Sequence, residues 1–104
     1  MFNVFILLNI SSTLAEEIDL DAGEEIFTQN CAACHANGEN LVNPVKTLKI
    51  DVLHEFQMDS IDAIKRQVTN GNKNGMPAFG GRLSDEDIQN VANYVLNQAQ
   101  KDLW

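Results

Sequence analysis

Cys31-Ala32-Ala33-Cys34-His35 constrains this chain more than any other stretch. Two thiols three positions apart, followed at once by an imidazole, form the attachment signature of a c-type haem. On one helical turn the two Cys side chains project to the same side. Both sulfurs can then meet the vinyl groups on one edge of a porphyrin. His35 follows the second thioether, placed to put a ring nitrogen on the iron. Ala32 and Ala33 are small enough to let a flat macrocycle lie against the backbone.

Three other chemistries use paired cysteines. A structural zinc site takes four ligands, often a second Cys pair or two His. This chain has two Cys, and its other His, His54, stands alone. A dithiol redox site belongs beside a strand-helix-strand pattern, which the sequence lacks. A Cys31–Cys34 disulfide would close a very short loop and stabilise little. Haem attachment is the reading that the motif favours.

The 104 residues suffice for one domain. Phe2, Val4, Phe5, Ile6, Leu7 and Leu8 make an apolar run broken by Asn3. Ser11, Ser12 and Thr13 then lead to Ala15, after which Glu16 and Glu17 open a charged region. That order resembles an export signal cut after Ala15, although no Lys or Arg precedes the run. The run is far too short to span a bilayer. The expected organisation is a cleaved signal over residues 1–15 and a single domain over residues 16–104, monomeric and not embedded in a membrane. So short a domain has little core of its own, and a porphyrin would supply an apolar nucleus. The formal net charge of −8 argues against nucleic acid. A polyanion calls for a basic patch, and the seven Lys and Arg are scattered. A partner with a positive docking surface fits better.

The domain reads as all-α, with four helical stretches joined by polar loops. The first is expected from about Asp21 to Cys34, with Asp21 and Glu24 as a capping pair and Ile26, Phe27 and Cys31 facing inward. The second is expected from about Pro44 to Phe56, with Pro44 in its first turn and Val45, Leu48, Val52, Leu53 and Phe56 at helical spacing. The third spans about Ser60 to Asn70, carrying Ile61, Ile64 and Val68 and stopping at Gly71. The fourth opens on a Ser84–Asp87 capping box and carries an apolar stripe of Ile88, Val91, Ala92, Val95, Leu96 and Ala99.

An iron held by His35 alone has an open face. Met58, Met76 and His54 are the candidates, with an open site as the fourth possibility. Met58 lies at a helix entry and suits gap-filling core. His54 sits beside Glu55 in a polar run and reads as solvated. Met76 sits between the third and fourth helices, in a segment too rich in Gly, Asn and Pro for a helix. Pro77 biases Met76 toward an extended conformation, and Gly75 lets the backbone come close to a ring. A thioether opposite an imidazole favours ferrous iron and raises the potential. With both axial positions filled, the haem suits outer-sphere electron transfer. The acceptor that orients His35 is expected in the loop from Ala36 to Pro44.

Several stretches carry a family resemblance: Cys31 to His35, Lys46-Thr47-Leu48-Lys49, Ile61-Asp62-Ala63-Ile64, Asn70-Gly71, Met76-Pro77-Ala78-Phe79-Gly80-Gly81-Arg82-Leu83 and Ala92-Asn93-Tyr94-Val95-Leu96. With them the chain resembles the cytochrome c6 family of algae and cyanobacteria over nearly its whole length after Ala15. The resemblance implies a class I cytochrome c fold around one covalently bound haem c. It implies an electron carrier, not an enzyme, in the thylakoid lumen of a plastid or cyanobacterium. Such a carrier takes electrons from cytochrome f of the cytochrome b6f complex and delivers them to photosystem I. It places Gly23 and Phe27 across from Val91 and Tyr94, Gln67 near the haem edge as a tuner of potential, and Arg82 at a position used for docking. Asp85, Glu86 and Asp87 cap a helix and can also present negative charge to a basic partner. The competing readings are a small c-type cytochrome donating to a respiratory terminal oxidase, a haem enzyme or gas sensor with an open iron, and a non-haem Cys-pair redox protein.

Overall fold

A computed structural model describes residues 18–104; the expected signal over residues 1–15 lies outside them. The regular structure among the described residues is helical. It consists of α1 (Leu20–Asn30), a single turn α2 (Ala32–His35) running into a 3-10 turn (Ala36–Gly38), α3 (Ile50–Glu55), α4 (Ile61–Asn70) and α5 (Asp85–Gln100). Among the described residues, the one extended pairing is an isolated bridge between Gly80 and Leu83.

The ends of α4 and α5 follow from local chemistry. Ser60 Oγ accepts the Ala63 N–H at 3.1 Å, and Gly71 ends α4 in the left-handed region at φ 63°. Ser84 Oγ accepts the Asp87 N–H at 3.0 Å while Asp87 Oδ2 accepts the Ser84 N–H at 3.4 Å. This reciprocal pair is the capping box read from the sequence. Along α5, Ile88, Val91, Ala92, Val95 and Ala99 are buried.

Two expected boundaries differ. The first helix does not run from Asp21 to Cys34, and Asp21 does not cap it. Asp19 does, its Oδ1 accepting the Ala22 N–H at 3.0 Å. The two acids stand two positions apart; Asp21 lies inside the first turn, where its charge still complements the helix dipole. The helix then breaks at Cys31, with φ −118° and ψ −29°. Just before the break, the Asn30 side chain donates back to the Ile26 carbonyl at 3.0 Å, a bond that competes with the helical ladder.

The second helix, expected over Pro44 to Phe56, shrinks to α3. Asn40 draws the preceding residues into turns. Its Oδ1 accepts the Val42 and Asn43 N–H groups at 3.1 and 2.9 Å, and its Nδ2 donates to the Lys46 carbonyl at 2.9 Å. Leu48 N–H donates to the Gly38 carbonyl at 2.7 Å. Main-chain groups that a helix through residues 44–49 needs are therefore already engaged. Val45, read at helical spacing with Leu53, is 71% exposed, while Leu53 is buried.

The core forms where α1 crosses α5. A Cβ at Gly23 would strike the Asn90 carbonyl oxygen and the Cβ of Tyr94, so the missing side chain sets how closely the axes approach. Phe27 lies beside Tyr94 and Trp104, with ring centroids 5.4 and 5.3 Å away. Phe27, Ile64, Val68, Phe79, Ile88, Val91, Ala92 and Val95 make one buried cluster. Each large apolar side chain fully buried there contributes about 1.5–3 kcal/mol. That outweighs a surface pair such as His54–Asp59, which is worth little in water. Trp104 joins the same core. Its Nε1–H donates to the Leu48 carbonyl at 3.0 Å, and a Cβ at Gly38 would run into its ring.

Candidate functional site

The break between α1 and α2 places the two thiols. Cys31 is the N-cap of α2, and the Cys34 and His35 N–H groups both donate to its carbonyl, at 3.1 and 2.9 Å. Both cysteines are half-buried free thiols. Burial pushes the Cys31 thiol up to about 11, so it stays protonated at neutral pH. A catalytic dithiol needs the opposite shift, because its attacking group is the thiolate. Nor do the described residues contain a group of three or more His, Cys, Asp or Glu able to hold a metal ion, as a structural zinc site requires.

His35 Nδ1 lies 2.9 Å from the Glu39 backbone carbonyl. A carbonyl only accepts, so Nδ1 carries the proton and Nε2 keeps its lone pair for a metal. The acceptor lies in the loop where the sequence placed it. Asn37 and Gly38, at φ 57° and 76°, turn the chain so that Glu39 comes back over His35. The Leu41 N–H then donates to the Cys34 carbonyl at 2.9 Å and ties the loop to α2.

Met76 is half-buried and packs on the same core as Cys31. Gln67 Nε2 lies 3.5 Å from its sulfur. A Cβ at Gly71 would strike the Met76 oxygen and main-chain atoms of Pro77 and Ala78; only glycine lets the loop fold back onto the end of α4 in this way. The Phe79 and Gly80 N–H groups donate to the Val68 and Thr69 carbonyls at 2.9 and 3.0 Å, which fixes the far end of the loop. The His35 loop and the Met76 loop meet, since a Cβ at Gly75 would sit 3.3 Å from Val42 Cγ1.

The other candidates fall elsewhere. His54 is 80% exposed and its Nδ1 bonds Asp59 Oδ2 at 2.8 Å. That bond holds the Asp59 carboxyl below its usual range. Met58 is half-buried in the α3–α4 connection. Arg82 is exposed and lies over the Phe79 ring, 4.8 Å from its centroid. Asp85 and Glu86 are exposed at the start of α5, while Asp87 turns back to cap it.

The residues present fit a c-type haem. Two free thiols lie on one helical turn, an imidazole offers Nε2, and a thioether stands on the loop that meets the imidazole's own. Leu41 and Val42, on that meeting edge, are 73% and 56% exposed. Sequence reasoning missed Asn72, Asn40 and Trp104. The side chain of Asn72 bonds within the Met76 loop. A lone Trp and an Asn among glycines were the available signals for Trp104 and Asn72.

Residues 18–95 match a family model described as cytochrome c oxidase, cbb3-type, subunit III. The chain is 59% identical to cytochrome c6 of Gracilaria tenuistipitata var. liui over 103 residues, which are 96% of this chain and 94% of that one. It is 64% identical to cytochrome c6 of Pyropia tenera over 83 residues, 80% of this chain and 96% of that one. The solved structure of cytochrome c6 from the diatom Phaeodactylum tricornutum matches with a TM-score of 0.77 at 52% identity, covering 80% of this chain and 97% of that one. Fold and comparisons together define a c-type cytochrome of class I fold, an electron-transfer protein whose cofactor is a c-type haem. Within that class, the chain belongs to the cytochrome c6 family.

Proposed function

We propose that this chain is a soluble one-electron carrier of photosynthesis, taking an electron from cytochrome f of the cytochrome b6f complex and passing it to photosystem I. One haem per chain is tethered through thioethers at Cys31 and Cys34. When bound, it supplies a ferric–ferrous couple. His35 presents Nε2 to the iron because the Glu39 carbonyl holds Nδ1–H. Met76 presents its sulfur from the opposite loop, and Gln67 donates to that sulfur. The observation that carries the reading is this pair of donors, each oriented by a second group, on loops that touch. His35 and Met76 together would leave the iron no ligand position for oxygen or peroxide and would suit the group to outer-sphere electron transfer.

Residues 1–15 act as an export signal that delivers residues 16–104 to the thylakoid lumen as a monomer. None of the helices among the described residues is long and apolar enough to cross a membrane. Arg82, Asp85 and Glu86 are the exposed charges assigned to docking; Asp87 contributes to the same field while capping α5.

The test is flash-induced oxidation of the purified holoprotein by isolated photosystem I. A fast reaction whose rate falls as salt rises supports the carrier role and its acidic steering. The second reading is donation to a respiratory terminal oxidase, favoured by the oxidase-subunit name of the matched family model. Faster oxidation by an isolated terminal oxidase than by photosystem I would replace the first reading with the second.

A further inference from the structure

One residue takes both main-chain polar groups of Met76. The Asn72 N–H donates to the Met76 carbonyl at 2.9 Å, and Asn72 Oδ1 accepts the Met76 N–H at 3.2 Å. The same oxygen accepts the Asn74 N–H at 2.8 Å, which closes the turn between them. Gly71 feeds the chain into this turn from the end of α4. The Met76 side chain is contacted separately, by the Gln67 amide at its sulfur. Backbone and thioether are thus held by different residues.

We infer that Asn72 is a positioning residue that keeps Met76 on the haem iron, governing how readily the sulfur returns. The inference rests on the assignment of Met76 as axial ligand. Asn72, Lys73, Asn74 and Gly75 are all exposed. If the amide is removed, water satisfies the freed N–H groups and folding is little affected. What changes is preorganisation. A loop clamped at both main-chain groups of Met76 returns the sulfur to the iron after each brief dissociation. A loose loop lets it wander, lowering its effective concentration there. An aspartate at the same position keeps an acceptor oxygen; alanine keeps none.

The holoprotein variants Asn72→Ala and Asn72→Asp separate these effects. Imidazole below saturation, uncharged at mildly alkaline pH, competes with the returning Met76 for ferric iron, so the observed rate reads the balance between departure and return of the sulfur. In Asn72→Ala that rate rises about tenfold, as expected for two lost hydrogen bonds. In Asn72→Asp it stays near that of the parent protein. Thermal unfolding of the ferrous form is unchanged in both. Amide hydrogen exchange at Met76 and Asn74 quickens in the alanine variant only. An unchanged imidazole rate in Asn72→Ala, or an equal rise in Asn72→Asp, overturns the inference. A parent ferric protein without the far-red Met-to-iron band instead overturns the ligand assignment, and with it the role of Asn72 at the iron. Amide exchange then still reports whether the clamp itself exists.

Discussion

His35 and Met76 sit on loops that touch, yet their side chains are oriented by different kinds of group. On the His35 side the orienting acceptor is a main-chain carbonyl, that of Glu39. The loop is tied to α2 through the Leu41 N–H. Its far end is pinned by Trp104, which arrives from beyond α5 to bond the Leu48 carbonyl and cover Gly38. On the Met76 side a side-chain amide, that of Gln67, meets the sulfur, and Asn72 holds the Met76 backbone through both its amide oxygen and its main-chain N–H. Gly71 makes the turn possible. A ligand oriented by a backbone carbonyl tolerates nearly any side chain at the acceptor position. A ligand held by side-chain amides can be adjusted one substitution at a time. With His35 and Met76 as the proposed iron ligands, that would make the sulfur side the place where lability and potential are set.

The largest test of this contrast is Gly71→Ala. Gly71 combines φ 63° with ψ −160°, a region open essentially to glycine alone, and the new Cβ would meet main-chain atoms of Met76, Pro77 and Ala78. A loss of about 3 kcal/mol in guanidinium unfolding of the ferrous holoprotein is expected, together with loss of the ferric Met-to-iron band. Retention of both would mean that the loop has room the fold does not show. Next in size is Trp104→Ala, expected to cost about 2–3 kcal/mol because an aromatic anchor of partial burial is removed. Here the Met-to-iron band should persist, since the anchor serves the His35 side. Loss of the band would couple the two sides and erase the distinction between them.

The parts legible in the sequence are those fixed within a few residues. Ser60 and Ser84 cap helices through N–H groups three positions on, and the cysteine spacing falls on one turn. The apolar stripe of α5 is periodic and long, so its buried face could be read directly. The misread parts depend on choices that local pattern leaves open. Asp19 and Asp21 are both competent caps, and only the backbone path decides between them. The stretch after Pro44 has helical spacing, but Asn40 captures the Lys46 carbonyl from six positions away. Trp104 bonds a residue 56 positions earlier, which no local pattern encodes. At the candidate site the donors themselves stand out by type and spacing. Asn72 does not, because its function depends on a turn whose shape is not evident from composition.

A smaller effect is expected for Gln67→Val. The Gln67 amide donates to the Met76 sulfur at 3.5 Å. With Met76 as the proposed iron ligand, this contact would draw electron density from the sulfur and favour the ferrous state. Replacing it with an apolar side chain should lower the midpoint potential by roughly 20–60 mV, the equivalent of one weak hydrogen bond. Equilibrium redox titration of the holoprotein measures this. An unchanged potential would remove Gln67 from the tuning role and leave it as packing beside the sulfur.

The smallest expected effect sharpens the comparison most. Glu39 contributes its carbonyl to His35, not its carboxylate, and its side chain is exposed. Glu39→Ala therefore leaves the acceptor in place, and the midpoint potential and the ferric spectrum should match those of the parent protein. Glu39→Pro behaves differently: proline has no N–H, and the Glu39 N–H donates to the Ala36 carbonyl at 3.1 Å to close the 3-10 turn. Opening that turn displaces the carbonyl from His35 Nδ1, which should weaken the imidazole as an iron donor and raise the potential. If Glu39→Ala moved the potential as far as Gln67→Val does, the carboxylate would be acting on the imidazole. The His35 side would then be tunable by side chains just as the Met76 side is.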